Sequence, residues 1–260
     1  MNEDFQFTPD PQSQLESPQP PLEQHPPQGP FWGYGDVAIL IGLSIPCMLA
    51  GALVTNLAVS AIAGATPPRA LEIVPAQIVG YLLILVVASL LFRMQYQRGL
   101  LDAAAWKSPG IGIPRLILWG VGLAVGLAMI GGLLRIETKD APMMELLSDP
   151  LSLAVVAVFG ITVGPLCEEI FFRGLLQPLL VKSTGVVAGI VLTGVLFGLV
   201  HLPQYGQSWQ HGVLISTAGM AFGYARYAAD STLGSTVMHS AYNLVLFSAF
   251  IAARNAGVQA

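Results

Sequence analysis

The sequence predicts an all-α fold: a polytopic helical membrane bundle of about seven transmembrane helices behind a disordered N-terminal tail. Three observations carry that expectation. Hydrophobic residues make up 54% of the 260-residue chain and charged residues only 10%, against about 25% charged in soluble domains. The mean hydropathy is +0.67. The apolar runs are continuous rather than alternating and approach about 20 residues each, which suits helices that satisfy their own backbones better than a barrel.

Residues 1–36 read as a separate region. They hold 8 of the 19 prolines and six acids, with no Lys or Arg, so they bury too little to fold. They lack the positive start and early apolar core of a signal peptide. Two PxxP matches, Pro18 to Pro21 and Pro27 to Pro30, are weak signals in so proline-rich a stretch. Phe31, Trp32 and Tyr34 then read as an interfacial aromatic anchor.

Seven apolar segments follow, near Val37–Gly64, Ile73–Phe92, Pro114–Leu134, Leu151–Leu180, Gly185–Val200, Gly212–Ala228 and Thr232–Ala253. They divide into N-terminal membrane helices (37–150) and a second membrane region (151–254). Gly120, Gly122, Gly126, Gly131 and Gly132 suggest close helix packing in the third segment. If the side bearing Arg93, Arg98 and Lys107 is cytoplasmic, it collects seven of the eleven Lys and Arg residues. The positive-inside bias then puts the tail in the cytoplasm, and a multi-pass protein of the plasma membrane is expected. A net charge of −4 gives no reason to expect nucleic acid. Cys47 and Cys167 lie in apolar context, with no disulfide or Cys-zinc pattern.

The fourth segment carries the chemistry. Glu168, Glu169 and Arg173 interrupt sequence that is otherwise uncharged from Leu151 to Val181. A charge near the bilayer centre costs about 2.5–3.5 kcal/mol, so three ask for partners, a wet cavity or a function. Interfacial charges flanking a helix end are the plainer alternative. On a helix Glu169 and Arg173 stand i,i+4 with the acid first, the favourable order for a pair. Glu168 points about 100° away, which makes it the candidate base and Glu169 the candidate support.

Of the four histidines, His25 falls in the tail and His211 in a loop, both expected to be solvated. His201 ends an apolar run, and His239 shares a helix face with Asn243. Either alone reads first as an interhelical hydrogen-bonder. Glu168 lies 16 residues before Thr184 and His201 lies 17 after it. Both are therefore about 24–26 Å from that turn and at one level. Counted from Asp230, His239 is only about 14 Å along and Asn243 about 20 Å, a poorer agreement. Such a set supports two routes to hydrolysis of a carbonyl compound. In one, a carboxylate acts as general base on water while His and Asn stabilise the oxyanion. In the other, His201 and His239 with a carboxylate hold a divalent metal, zinc being the first candidate, and the second carboxylate activates its water. No HExxH occurs.

Glu168-Glu169-x-x-x-Arg173, Phe197-x-x-x-His201 and His239-x-x-x-Asn243, in that order, resemble the three motifs of the CPBP (Abi) family of CAAX-prenyl-protease-like intramembrane endopeptidases. The resemblance covers about Leu151 to Arg254. It implies a helical membrane protease acting on a peptide or protein substrate, lipidated or not, among membrane lipids. By motif position it makes Glu168 the water-activating base, Glu169 and Arg173 its support, and His201, His239 and Asn243 members of the site. It leaves the metal open. Other classes compatible with the sequence are a non-enzymatic immunity or scaffold protein of the same fold, and a bis-histidine haem protein or proton-coupled carrier.

Overall fold

The computed structural model describes residues 29–62, 67–137 and 141–257. Most of the expected tail, with His25, lies outside them. The described chain forms α1 (Tyr34–Ile62), α2 (Ala70–Tyr96), α3 (Leu100–Ala103), α4 (Ile113–Leu133), α5 (Pro142–Leu146), α6 (Pro150–Ile161), α7 (Val163–Glu169), a π-helical stretch (Ile170–Leu176), α8 (Gln177–Thr184), α9 (Val186–His201), a 3-10 turn (Leu202–Tyr205), α10 (Trp209–Ala229) and α11 (Thr232–Asn255). The protein is a helical membrane bundle. Six segments, α1, α2, α4, α6 to α8, α9 with its 3-10 turn, and α11, are long and apolar enough to cross a bilayer. The seventh expected span corresponds to α10. It has 21 residues, but Gln210, His211 and Arg226 dilute its apolar character.

Helix starts follow local chemistry. Asp149 Oδ1 accepts from the Leu151 and Ser152 amides at the head of α6, and Ser231 accepts from Gly234 N at the head of α11. These are ordinary side-chain caps of orphan amides. Hydrogen bonds from the Ser152 side chain and backbone hold the Asp149 carboxyl below its usual range.

The fourth span is not one continuous α-helix. It breaks at Thr162, where φ is −118° and ψ −79°. Three residues on, Pro165 lacks the N–H that would have bonded Ile161. From Ile170 the turn widens, and Gln177 N–H reaches back five residues to Phe172 O. Wide turns of this kind inside α-helices are frequent at functional sites.

Close packing concentrates where α9 meets α10. A Cβ on Gly194 would stand 2.7 Å from Met220 N, and one on Gly198 2.6 Å from Gly212 O. The expectation for the α4 glycines holds at Gly120, where a Cβ would collide with the Met238 carbonyl. It fails at Gly122, Gly126 and Gly132, which face open space, and Gly131 is in ordinary contact. Those three glycines sit on α4 surface with no neighbouring helix.

Of the aromatic anchor residues, Trp32 packs into the protein: its indole N–H donates to Leu175 O at 3.0 Å, and its ring packs among Phe31 and Phe92. Tyr34 is half exposed and bonded to Ser183.

At the same end, the 104–110 loop covers the head of α11. Thr232 N donates to Ala105 O, Ser231 Oγ donates to Lys107 O, and Ser231 and Thr232 are fully buried. Lys107 and Asp230 close the cover with a 2.6 Å ion pair. Arg69, Glu145 and Arg254 mark the opposite end.

Candidate active site

The π-helical stretch presents Arg173 inward, where its guanidinium has no solvent contact. Nη1 donates to Glu169 Oε1 at 2.8 Å and Nη2 donates to Gly219 O of α10 at 2.8 Å. Phe197 lies under the guanidinium at 4.4 Å and Phe222 flanks it at 5.5 Å, replacing water with aromatic faces. The expected Glu169–Arg173 pair is present and fully buried. One turn later Gln177 repeats the pattern, its amide donating to Gly223 O. Together they pin the wide turn to α10.

Glu169 Oε1 also accepts from His239 Nδ1 at 3.0 Å. A carboxylate paired with a guanidinium only accepts, so Nδ1 carries the hydrogen and Nε2 is left with a lone pair. His239 is held flat on Phe222, with ring centroids 4.2 Å apart. His201 is fixed in the same way: Nδ1 lies 2.7 Å from Phe197 O, a pure acceptor, and again Nε2 is free. Both free nitrogens face Glu168, His201 Nε2 at 3.9 Å from Oε1 and His239 Nε2 at 3.9 Å from Oε2. Each gap is too long for a direct hydrogen bond and wide enough for a bridging water. Glu168 is the more open of the two acids, its side chain 22% exposed against 0% for Glu169.

The level-counting argument thus brings Glu168 and His201 together as expected. His239 arrives as well, despite the poorer count. The reason is that α11 starts beneath the 104–110 loop at buried Thr232, whereas the α8–α9 turn at Thr184 is exposed. Equal depths below unequal turns require unequal counts. Asn243 lines the same cavity one turn beyond His239, and one amide N–H donates to Gly160 O at 2.6 Å. The second N–H is free to serve another acceptor. His211 is corrected: it is buried in the first turn of α10, stacked on Tyr205 at 4.6 Å and bonded to Ser208, which makes it a structural group.

Glu168, His201, His239 and Asn243 share one cavity of about 650 Å³ that runs toward the Arg69 and Glu145 end. Glu168 also borders a smaller, almost wholly apolar recess of about 240 Å³ between α1, α2 and the π-helical stretch. Tyr81 of α2 lines both and stacks on Phe159. It carries no motif signal; only its place in an otherwise aliphatic run sets it apart. Among the described residues, no group of three or more His, Cys, Asp and Glu side chains gathers closely enough to hold a metal ion. His201 Nε2, His239 Nε2 and Glu168 are the side chains that the expected metal would call on.

Fold and cluster together define a multi-pass integral membrane protein with a buried acid–histidine centre open to a cavity. Residues 150–245 match the family model described as Rce1-like, type II CAAX prenyl endopeptidase Rce1-like. That segment carries the three motifs, and over it the chain is similar to CAAX prenyl endopeptidases. No curated protein and no solved structure matches the chain.

Proposed function

We propose that the protein is an intramembrane endopeptidase that cleaves a peptide bond near the membrane surface with water activated by Glu168. The observation that carries this reading is the pair of histidine Nε2 lone pairs aimed at one partly open carboxylate. A water in the 3.9 Å gaps gives a proton to Glu168 as its oxygen bonds to the substrate carbonyl carbon. Glu168 then hands that proton to the departing amine as the C–N bond breaks. Asn243 supplies its free N–H to the oxyanion. With Nδ1 of each histidine already committed, the water's second O–H donates to Nε2 of His201 or of His239, which orients it toward Glu168. Glu169, Arg173 and Gly219 hold His239 in place and touch no substrate.

The apolar recess beside Glu168 supports a substrate carrying a hydrophobic chain, prenyl or otherwise, next to the cleaved bond. With the tail in the cytoplasm of a plasma-membrane protein, the cavity mouth opens on the opposite face.

The test is cleavage of prenylated and unprenylated peptides by purified protein in nanodiscs, with and without chelator and with metal analysis. Turnover that survives chelation and vanishes in Glu168→Gln is expected. Undiminished turnover by Glu168→Gln would remove the mechanism, and chelator-sensitive turnover with bound zinc would replace it by the metal route.

A further inference from the structure

The large cavity is a slot with a basic group at its far end. Arg69, Ile73, Gln77 and Tyr81 are spaced four apart on α2 and all line it, so they form one stripe down that helix. Tyr81 stands at the level of Glu168, since the two border both hollows. Arg69 is twelve residues away, about 18 Å along the axis at 1.5 Å per residue. An extended peptide covers that distance with about five residues at 3.3 Å each. The wall between is mainly apolar, with Val156, Phe159 and Phe247 in the lining, and among the described residues Arg69 is the one Lys or Arg there.

Arg69 is occupied by a stand-in. Both oxygens of Glu145 accept from its Nη1 at 2.9 Å. Glu145 belongs to α5, a five-residue helix that roofs the mouth. Just past Glu145, the C-terminal end of α5 is tied down by Arg254, which donates to the Leu147 and Ser148 carbonyls. The Arg69 and Glu145 side chains are 63% and 64% exposed, and exposed pairs of this kind are held weakly. A second carboxylate therefore displaces the Glu145 side chain with little loss, while the Arg254 contacts keep α5 in place.

We infer that Arg69 is the subsite for a substrate carboxylate about five residues from the cleaved bond, and that Glu145 occupies it until substrate arrives. This rests on the peptidase reading and adds a substrate class: an extended, mainly apolar peptide segment ending in a carboxylate, supplied by the chain terminus or by an acidic side chain.

Binding and cleavage are tested separately. Glu168→Gln protein in neutral-lipid nanodiscs is incubated with a library of ten-residue peptides as free acids and as amides, with and without an internal Asp or Glu, and retained peptides are sequenced by mass spectrometry. Free acids, or amides with an internal acid, should be retained about three- to tenfold over amides without one, the range of an exposed to partly shielded ion pair. Arg69→Gln should erase the preference, Arg69→Lys should keep part of it, and Glu145→Gln should strengthen it. In the same library, wild-type cleavage should favour an acid four to six residues from the cut. Retention indifferent to carboxylates, or a preference unchanged in Arg69→Gln, overturns the subsite while leaving Glu168-dependent cleavage standing. Retention that follows added anionic lipid instead of the peptide overturns it too, and makes Arg69 a headgroup contact. Carboxylate-selective retention with no Glu168-dependent cleavage keeps the subsite and removes the peptidase reading.

Discussion

The α6 to α11 region and the α1–α2 pair solve opposite problems. The first buries ionic groups: Glu169 and Arg173 are wholly enclosed, and glycine seams draw α9 onto α10 until there is no room for a Cβ. The second is apolar and turns a broad face outward. One face of α1, through Ile45, Leu49, Leu53 and Leu57, is more than half exposed within the protein, which is the surface a bilayer covers. The pair closes on itself where Gly51 meets the backbone of Gly80. It joins the rest through the Trp32 hydrogen bond, the Tyr81 stack and two apolar clusters, one where Val37, Leu40, Ala88 and Phe92 pack with Leu175 and Leu179 and one where Ala70 and Val74 pack with Leu153 and Val156. The acid–histidine cluster and most of the large cavity's wall belong to the first region, and α1 and α2 line about half of the apolar recess. The family match falls within the first region.

Five variants test that division. Glu168→Gln should lower cleavage by about 10²–10⁴-fold, the usual weight of a general base, while gel filtration and circular dichroism stay those of the folded protein. Glu169→Gln should cost about 3–5 kcal/mol, because Arg173 is then a buried charge without its partner; thermal unfolding in detergent reads this. Replacing both, as Glu169→Gln with Arg173→Met, should recover part of that stability without recovering activity. Gly198→Ala should destabilise by about 1–3 kcal/mol through overpacking against α10. Gly122→Ala, where nothing lies within 4 Å, should instead stabilise by up to about 1 kcal/mol from helix propensity. Equal effects at the two glycines would erase the contrast between seam and open surface.

The smallest effect is expected at the loop that covers α11. Hydrogen bonding to Lys107, with its charge and that of Arg226, holds the Asp230 carboxyl below the usual carboxylate range. Its contribution is therefore present above the ordinary carboxylate pKa and fades as pH falls through the lowered value. The pair is solvent-exposed, so Asp230→Asn should cost well under about 1 kcal/mol at neutral pH. The difference from wild type should close in acid, measured as melting temperature against pH.

Much of this was legible beforehand, and the residues show why. Charges inside uncharged sequence identify Glu168, Glu169 and Arg173 without any structure, because burying them is costly. Helix rise alone aligns His201 with Glu168. The wide turn was not legible, since Ile170 to Leu176 is apolar sequence that suits an α-helix equally well. His211 was misjudged because a histidine near a loop carries no sign of the tyrosine that covers it. Arg69 and Glu145 are 76 residues apart, and only the fold brings them to one mouth.

The π-helical stretch has one more consequence. A wide turn is, in effect, one surplus residue that the helix has absorbed without expelling. A further residue inserted beside it has no such slack left to take it up, and would swing everything beyond it by about 100°. The carbonyl that receives Trp32, the amide that grips Gly223 and the guanidinium that grips Gly219 could not then all find their partners. With five of its seven residues buried, the stretch should tolerate few substitutions and no insertion.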